Sequence, residues 1–207
     1  MSSEIATATC RCGEVTPEAI QCPVHFHVYR YGTWLPSVGR ILRTVWPPPE
    51  TLPPEDVLEN ARLRGVEVDT LFSAYVIGKL QRIPAGTRMD ARDLFLKLVY
   101  WFDEQHFTRS ESQILVAGDD HAGTMDLRLD GMVVDLKCTY DVSDMHRLQT
   151  AGYAALAGTL DAAVLHVTAR YPEPRLELLT GTDHHDWEAL LCHWRMLKRR
   201  NAITVTP

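Results

Sequence analysis

"GTMDLRLDGMVVDLK", residues 123–137, decides the fold. Asp130-Gly131 is a two-residue hairpin signal with alternating apolar residues on both sides. Leu129 then pairs with Met132, and Asp126 falls opposite Asp135. Side chains alternate faces along a strand, so directly opposed residues share one face at about 4.5–5.5 Å. Two carboxylates at that range repel, and their apolar flanks half-bury them. Either one acid takes a raised pKa, or a divalent cation accepts both as oxygen ligands. Lys137, two residues beyond Asp135, shares the face. Its ammonium suits orienting an attacking water or stabilising charge that develops on a phosphate. A surface ion cluster is the structural alternative.

The flanking sequence supplies a scaffold. Residues 55–80 carry Val57, Leu58, Ala61, Val68, Leu71, Phe72, Tyr75 and Val76 at three- and four-residue steps, which predicts a helix. Gly65 either splits it or marks a close backbone approach. "MDARDLFLKLVYWFDEQHF" (89–107) predicts a second helix with Asp90 as N-cap. Residues 110–116 read as a strand before the hairpin. Residues 143–158 read as a helix capped by Ser143 or Asp144 and stopped by Gly158. Residues 162–169 and 175–180 are strands, and 183–200 is a final helix with Asp183 as cap. His184-His185-Asp186 falls in its first turn, where capping outweighs metal binding. The proline run at 46–55 is a surface connector. Helix, helix, three strands, helix, two strands, helix predicts α/β: a central mixed sheet flanked by helices.

The chain has 207 residues, 45% of them hydrophobic and 23% charged, which suits one compact domain with a small appendage. No stretch is long and apolar enough to span a bilayer, and the opening residues carry no signal core, so a cytoplasmic location is expected. A formal net charge of −6 argues against a surface that clamps nucleic acid everywhere. Arg30, Arg40, Arg43 and Lys198, Arg199, Arg200 leave room for local basic grooves.

Of five cysteines, three lie close together. Cys10, Cys12, Cys22 and His25 give C-x-C followed by C-x-x-H, a ligand set for tetrahedral zinc, with His27 as an alternative fourth ligand. Residues 1–32 are therefore expected to be a zinc-knuckle-like segment that folds around metal. An iron–sulfur cluster drawing on Cys192 is the alternative. Tyr29, Tyr31 and Trp34 interleave with Arg30 and Arg40, a pattern for stacking on single strands. Core packing of Trp34 is the alternative there.

The ordered set around the hairpin resembles the PD-(D/E)xK nuclease superfamily, in its RecB-type, lambda-exonuclease-like branch. Asp126 stands as the first acid and Asp135-Leu136-Lys137 as the D-x-K tripeptide. Gln149 and Tyr153 form the Gln-x-x-x-Tyr helix, and Glu111 matches an acid on the preceding strand. "PSVGRIL" is similar to an opening of phage-encoded members. The resemblance covers residues 65–169 and implies a restriction-endonuclease-like core over 33–207. It implies Mg²⁺ or Mn²⁺ held by Asp126, Asp135 and the Leu136 carbonyl, with Glu111 assisting. Gln149 and Tyr153 would orient the phosphate or the lysine. Where the branch often has a histidine, "RGVEVD" places Asp69, also an oxygen donor. The implied activity is metal-dependent DNA hydrolysis, as an exonuclease acting on ends or single strands in phage-type recombination or repair, with a recombination protein as partner. The alternatives are a structure-specific endonuclease and a non-catalytic nucleic-acid-binding protein on the same fold.

Overall fold

The computed structural model describes residues 20–21, 28–30, 33–46 and 53–203. Three short strands come first: β1 (Ile20–Gln21), β2 (Val28–Arg30) and β3 (Thr33–Leu35), paired antiparallel in that order. β2 and β3 pair across residue 32, and Val28 and Leu35 pack together on Ala122. Helices α1 (Val38–Val45), α2 (Glu55–Val76) and α3 (Met89–Gln105) follow. Strands β4 (Ser110–Ala117), β5 (Ala122–Leu129) and β6 (Met132–Lys137) lead to α4 (Asp144–Ala157). Strands β7 (Ala162–His166) and β8 (Arg175–Leu178) and helix α5 (Gly181–Arg199) complete the order.

β4-β5-β6-β7-β8 form one mixed sheet in that order, and β6–β7 is its parallel step. α4 supplies the crossover that a parallel pair needs. α2 and α3 cover one face: Val68, Phe72, Leu94, Phe95 and Leu98 pack on Leu127, Leu129, Val134, Leu136 and Leu165. α1, α4 and α5 cover the other: Val38, Ile41, Ala151, Trp187 and Trp194 pack on Met125 and Val133. β7 is buried along its whole length, as a central parallel strand must be. The α/β expectation therefore holds, with helices on both faces.

Three local expectations need correction. α2 is one 22-residue helix. Gly65 neither splits it nor lies against a neighbour, since a Cβ there would meet nothing within 4 Å. The N-cap of α3 is Arg88, and Asp90 sits in the first turn, bonded to the Arg88 guanidinium at 3.1 and 3.2 Å. α5 begins two residues early, at Gly181. Thr180 is its cap, and the Asp183 carboxylate reaches back to the Thr180 amide at 2.6 Å in a capping box. The β5–β6 hairpin forms as expected, with positive φ at both Asp130 (49°) and Gly131 (95°). The Asp130 carboxylate also accepts from Thr108 Oγ1 and the Arg109 amide, each at 2.7 Å. That ties the α3–β4 loop to the turn.

One ion pair joins the loop before β5 to α5. Arg195 grips Asp120 through two nitrogens, at 2.6 and 3.1 Å, and Asp120 also bonds His121 at 2.7 Å. Burial opposes the Asp120 charge, but these two partners outweigh it and hold its pKa down to about 2. A depressed carboxylate stabilises the fold above its ordinary pKa near 3.8, and that contribution is lost as pH falls through about 2. Wild type is expected to be about 1 kcal/mol more stable than Asp120→Asn at neutral pH. In urea titrations, that gap should shrink as pH falls from about 5 towards 2. A gap that stays constant over the window would show that the pair is not charge-stabilised.

Candidate functional site

The site forms where the sheet loses its regularity. β4 and β5 pair from Ser110↔Leu129 to Ser112↔Leu127, then resume at Ile114↔Met125. The missing rung is Gln113 opposite Asp126. Gln113 has φ 52°, in the left-handed region that a non-glycine residue rarely adopts. Along an unbroken strand Met125 and Leu127 would share a face. Instead Met125 packs in the α1/α4/α5 layer and Leu127 in the α2/α3 layer. Both strands therefore turn over at this rung, and Asp126 sits on it.

β5 and β6 are in the expected register at Leu129↔Met132 and Leu127↔Val134, and their ladder ends there. Asp126 and Asp135 are thus not a ladder pair, which corrects the simple extrapolation of the hairpin. The Asp126 carboxylate instead accepts the Leu136 amide, at 2.8 Å. This bond anchors one acid across the opened strands and holds the Leu136 backbone beside it.

The electrostatics follow from crowding. Asp135 is only 1% exposed, and Lys137 Nζ lies 2.5 Å from its Oδ2. That oxygen is buried and its close partner is the Lys137 ammonium. Burial raises the Asp135 pKa, against the pull of Lys137. Burial and then repulsion from Asp135 push Asp126 well above the usual carboxylate range. Burial also opposes charge on Lys137, but Asp135 and Asp126 outweigh it and raise its pKa. Asp69, on α2, is raised by burial and responds to both Lys137 and Asp135. Three acids thus share a half-sealed space with one ammonium.

α4 closes the space from the opposite layer. Gln149 Nε2 donates to Tyr153 Oη at 2.9 Å. Burial, followed by the Asp135 charge, pushes the Tyr153 phenol up to about 12. Gln149 and Tyr153 thus stand one turn apart on α4, bonded to each other, with the phenol within reach of the Asp135 charge. Thr150, between them in sequence, also lies against the Asp135 carboxylate.

The site has members that the sequence reading missed. Gln113 Nε2 donates to both Asp69 oxygens, at 3.1 and 3.3 Å, and so clamps that acid to the strand break. No local pattern announces such a residue, because its role comes from a backbone irregularity. His146 lies near Lys137; burial and that charge lower its pKa to about 4, so it is neutral at pH 7. Glu111 is not brought in. It pairs with Arg128, and its carboxylate meets Arg109 at 3.3 Å, towards the hairpin end. Cys10, Cys12, Cys22, His25, His27 and Tyr31 lie outside the described residues. Trp34 is half-buried with Arg40 over its ring at 5.9 Å.

Among the described residues, no three His, Cys, Asp or Glu side chains are gathered closely enough to hold a metal ion unaided. The donor chemistry still fits a hard divalent cation. Mg²⁺ typically uses one or two protein carboxylates and completes its shell with water and substrate phosphate oxygens. Asp126 and Asp135 supply that pair.

Gly123 gives this arrangement a sharp test. A Cβ there would lie 2.4 Å from Tyr153 Cε1, a distance at which the ring must move. Gly123→Ala is expected to keep the fold, displace Tyr153 and lower DNA turnover by about tenfold, as misplacement of a positioning group does. Activity equal to wild type would remove Tyr153 from the machinery.

No protein-family model and no curated protein matches the sequence. Solved structures similar to this chain include an alkaline exonuclease from Laribacter hongkongensis, at 11% identity and TM-score 0.40, covering 81% of this chain and 93% of that one. A phage-related exonuclease from Haemophilus somnus 129PT aligns at 10% identity and TM-score 0.40, over 80% and 96%. The protein SSO0001 aligns at 13% identity and TM-score 0.36; the match covers 52% of this chain and 59% of that one.

Proposed function

We propose that this chain is a metal-dependent deoxyribonuclease that hydrolyses phosphodiester bonds, acting as an exonuclease. The observation that carries the reading is the gathering of the buried Asp135 and the half-buried Asp126 around Lys137 at a break in the sheet. A fold gains nothing from two mutually repelling acids, one buried and one half-buried, whereas cation-assisted phosphoryl chemistry needs such a pair.

Mg²⁺ or Mn²⁺ would be held by Asp126, Asp135 and the Leu136 carbonyl. When bound, it supplies Lewis-acid stabilisation of charge on the phosphate. Lys137 stays protonated at neutral pH, since its pKa is raised. It is therefore an orienting and charge-stabilising group and not the base that takes the water's proton. Water oxygen would attack phosphorus in line and release its proton to solvent; the P–O bond to the leaving sugar oxygen breaks, that oxygen takes a proton from solvent, and Lys137 Nζ steadies the developing negative charge. The Tyr153 hydroxyl also stays protonated and can donate to a phosphate oxygen, with Gln149 fixing its position. Asp69 on α2, also an oxygen donor, would assist in holding the cation. The Cys10/Cys12/Cys22/His25 segment is proposed to bind a structural zinc. Recombination or repair of DNA ends, with a protein partner, is the cellular setting proposed.

A digestion assay on linear and covalently closed DNA, with and without Mg²⁺ or Mn²⁺, tests the reading. Metal-dependent shortening of linear DNA with inert circles is expected. Efficient cutting of closed circles would replace the exonuclease by an endonuclease. No cleavage of either form with either metal would sink the nuclease reading.

A further inference from the structure

A cavity of about 710 Å³ opens beside the D-x-K strand, in the range of small-ligand pockets. Its wall includes Cys138, the residue after Lys137, so it adjoins the site described above. The surroundings of Cys138 confirm the adjacency: burial pushes its thiol up to about 12, while Arg64, Asp69, Lys137 and Asp126 all act on it. The cavity's polar and aromatic lining plays no part in the chemistry proposed so far.

Three features of the lining describe a ligand. Arg64 Nη2 donates to the Cys138 carbonyl at 3.4 Å and Nη1 lies 3.8 Å from Asp90, yet among the described residues its Nε is buried without an acceptor. A buried guanidinium N–H left unmatched calls for an anionic oxygen. Tyr140 is 68% exposed, and the Arg170 guanidinium sits over its ring at 5.0 Å. Arg170 also lies over Tyr171, at 5.3 Å, and Arg175 lies over the Tyr171 ring at 3.4 Å from its centroid. An aromatic ring presented outward and braced by cations is a stacking surface for a planar base. Lys97 adds positive charge at the cavity wall, although two carbonyls, of Thr168 and Tyr171, hold its ammonium at 3.0 and 2.6 Å. Two acids, Asp90 and Asp93, also line the space. Asp90 is shared between Arg88, at 3.1 Å, and Arg64 Nη1, at 3.8 Å. The lining's cations, Arg64, Lys97 and Arg170, still outnumber its two acids.

We infer that this cavity is a subsite for an unpaired nucleotide of single-stranded DNA, with Arg64 taking a backbone phosphate and Tyr140, braced by Arg170, stacking on the base. The inference rests on the nuclease reading and gives it a substrate class: a DNA end whose terminal bases are unpaired at the moment of cutting. Stacking ignores base identity, so the subsite confers strand preference without sequence preference.

Fluorescence anisotropy of a labelled oligothymidylate, and of a blunt duplex of equal length, measured in EDTA, tests the inference. Tyr140 is exposed, so Tyr140→Ala should fold normally, which a thermal melt would confirm. It is expected to weaken single-strand binding about tenfold or more and to leave duplex binding nearly unchanged. Arg64→Gln should weaken both, as loss of a phosphate contact does. In turnover on single strands, Tyr140→Ala should raise KM more than it lowers kcat. If wild type cleaves DNA but Tyr140→Ala binds single strands as tightly as wild type, the subsite is refuted and the nuclease reading stands. If wild type neither cuts DNA nor binds single strands, both fall.

Discussion

Asp126→Asn is expected to abolish DNA cleavage and, in EDTA, to make the protein more stable. The loss of activity follows from its place as a cation ligand and should reach about 10²–10³-fold or more. The gain in stability follows from the burial of Asp126 beside Asp135, which pushes its pKa well above the usual range. Asparagine removes that repulsion, and its amide oxygen can still accept the Leu136 N–H that Asp126 holds at 2.8 Å. A gain of about 1 kcal/mol is expected, as when function had been maintained at a cost to stability. Lys137→Ala should lose activity comparably but move stability the other way. It strips the ammonium from the buried Asp135, and breaking such a pair costs about 3–5 kcal/mol. Urea titrations beside initial rates separate the two variants. Activity of Asp126→Asn within a few-fold of wild type would end the site assignment. A destabilised Asp126→Asn would mean that the acids do not strain the fold.

The hairpin and the helices around it were legible because their signals are local. Asp130-Gly131 specifies its turn through two positive φ angles, and Ser143 and Gly158 bracket α4 as caps. That register brought Asp126, Asp135 and Lys137 to one end of the hairpin, although the ladder stops at Leu127↔Val134 and the two acids are not a ladder pair. What the sequence concealed is the turnover at Gln113 and Asp126. Period-two alternation assumes a continuous strand, so Met125 and Leu127 read as one face. They divide between the two layers because packing of α4 on one side and α2 on the other outweighs local regularity. The same break explains why Glu111 stays outside the cluster while Gln113, two residues later, enters it. A family pattern of acids on a strand could not anticipate which residue the irregular backbone would present. Caps shifted for a simpler reason. In α5 the acid looked like the cap, but a capping box puts the hydroxyl of Thr180 at the cap and Asp183 at its third position.

Trp187→Ala is expected to be the most damaging substitution in the scaffold, and through α4 it reaches the site. Trp187 is 1% exposed among Val38, Ile41, Leu42 and Ala151 in the layer of α1, α4 and α5. Its ring lies so close to α4 that a Cβ on Gly152 would stand 3.0 Å from Cζ2. The small residue on α4 and the large one on α5 are therefore a single fitted contact. Its indole Nε1 has no hydrogen-bond partner among the described residues, so removal of the ring costs packing. Truncating a buried tryptophan costs about 3–5 kcal/mol. Domains of this kind are stable by about 5–15 kcal/mol, so the variant should stand near its threshold and show a much lower urea midpoint. Trp187→Phe fills part of the space and should lose clearly less. Gln149, Thr150 and Tyr153 all ride on α4, with Gly152 among them. The folded fraction of Trp187→Ala should accordingly turn over DNA more slowly than wild type, in proportion to the freedom α4 gains. Full specific activity in the folded fraction would mean that the site is positioned by the sheet alone and that α4 only covers it.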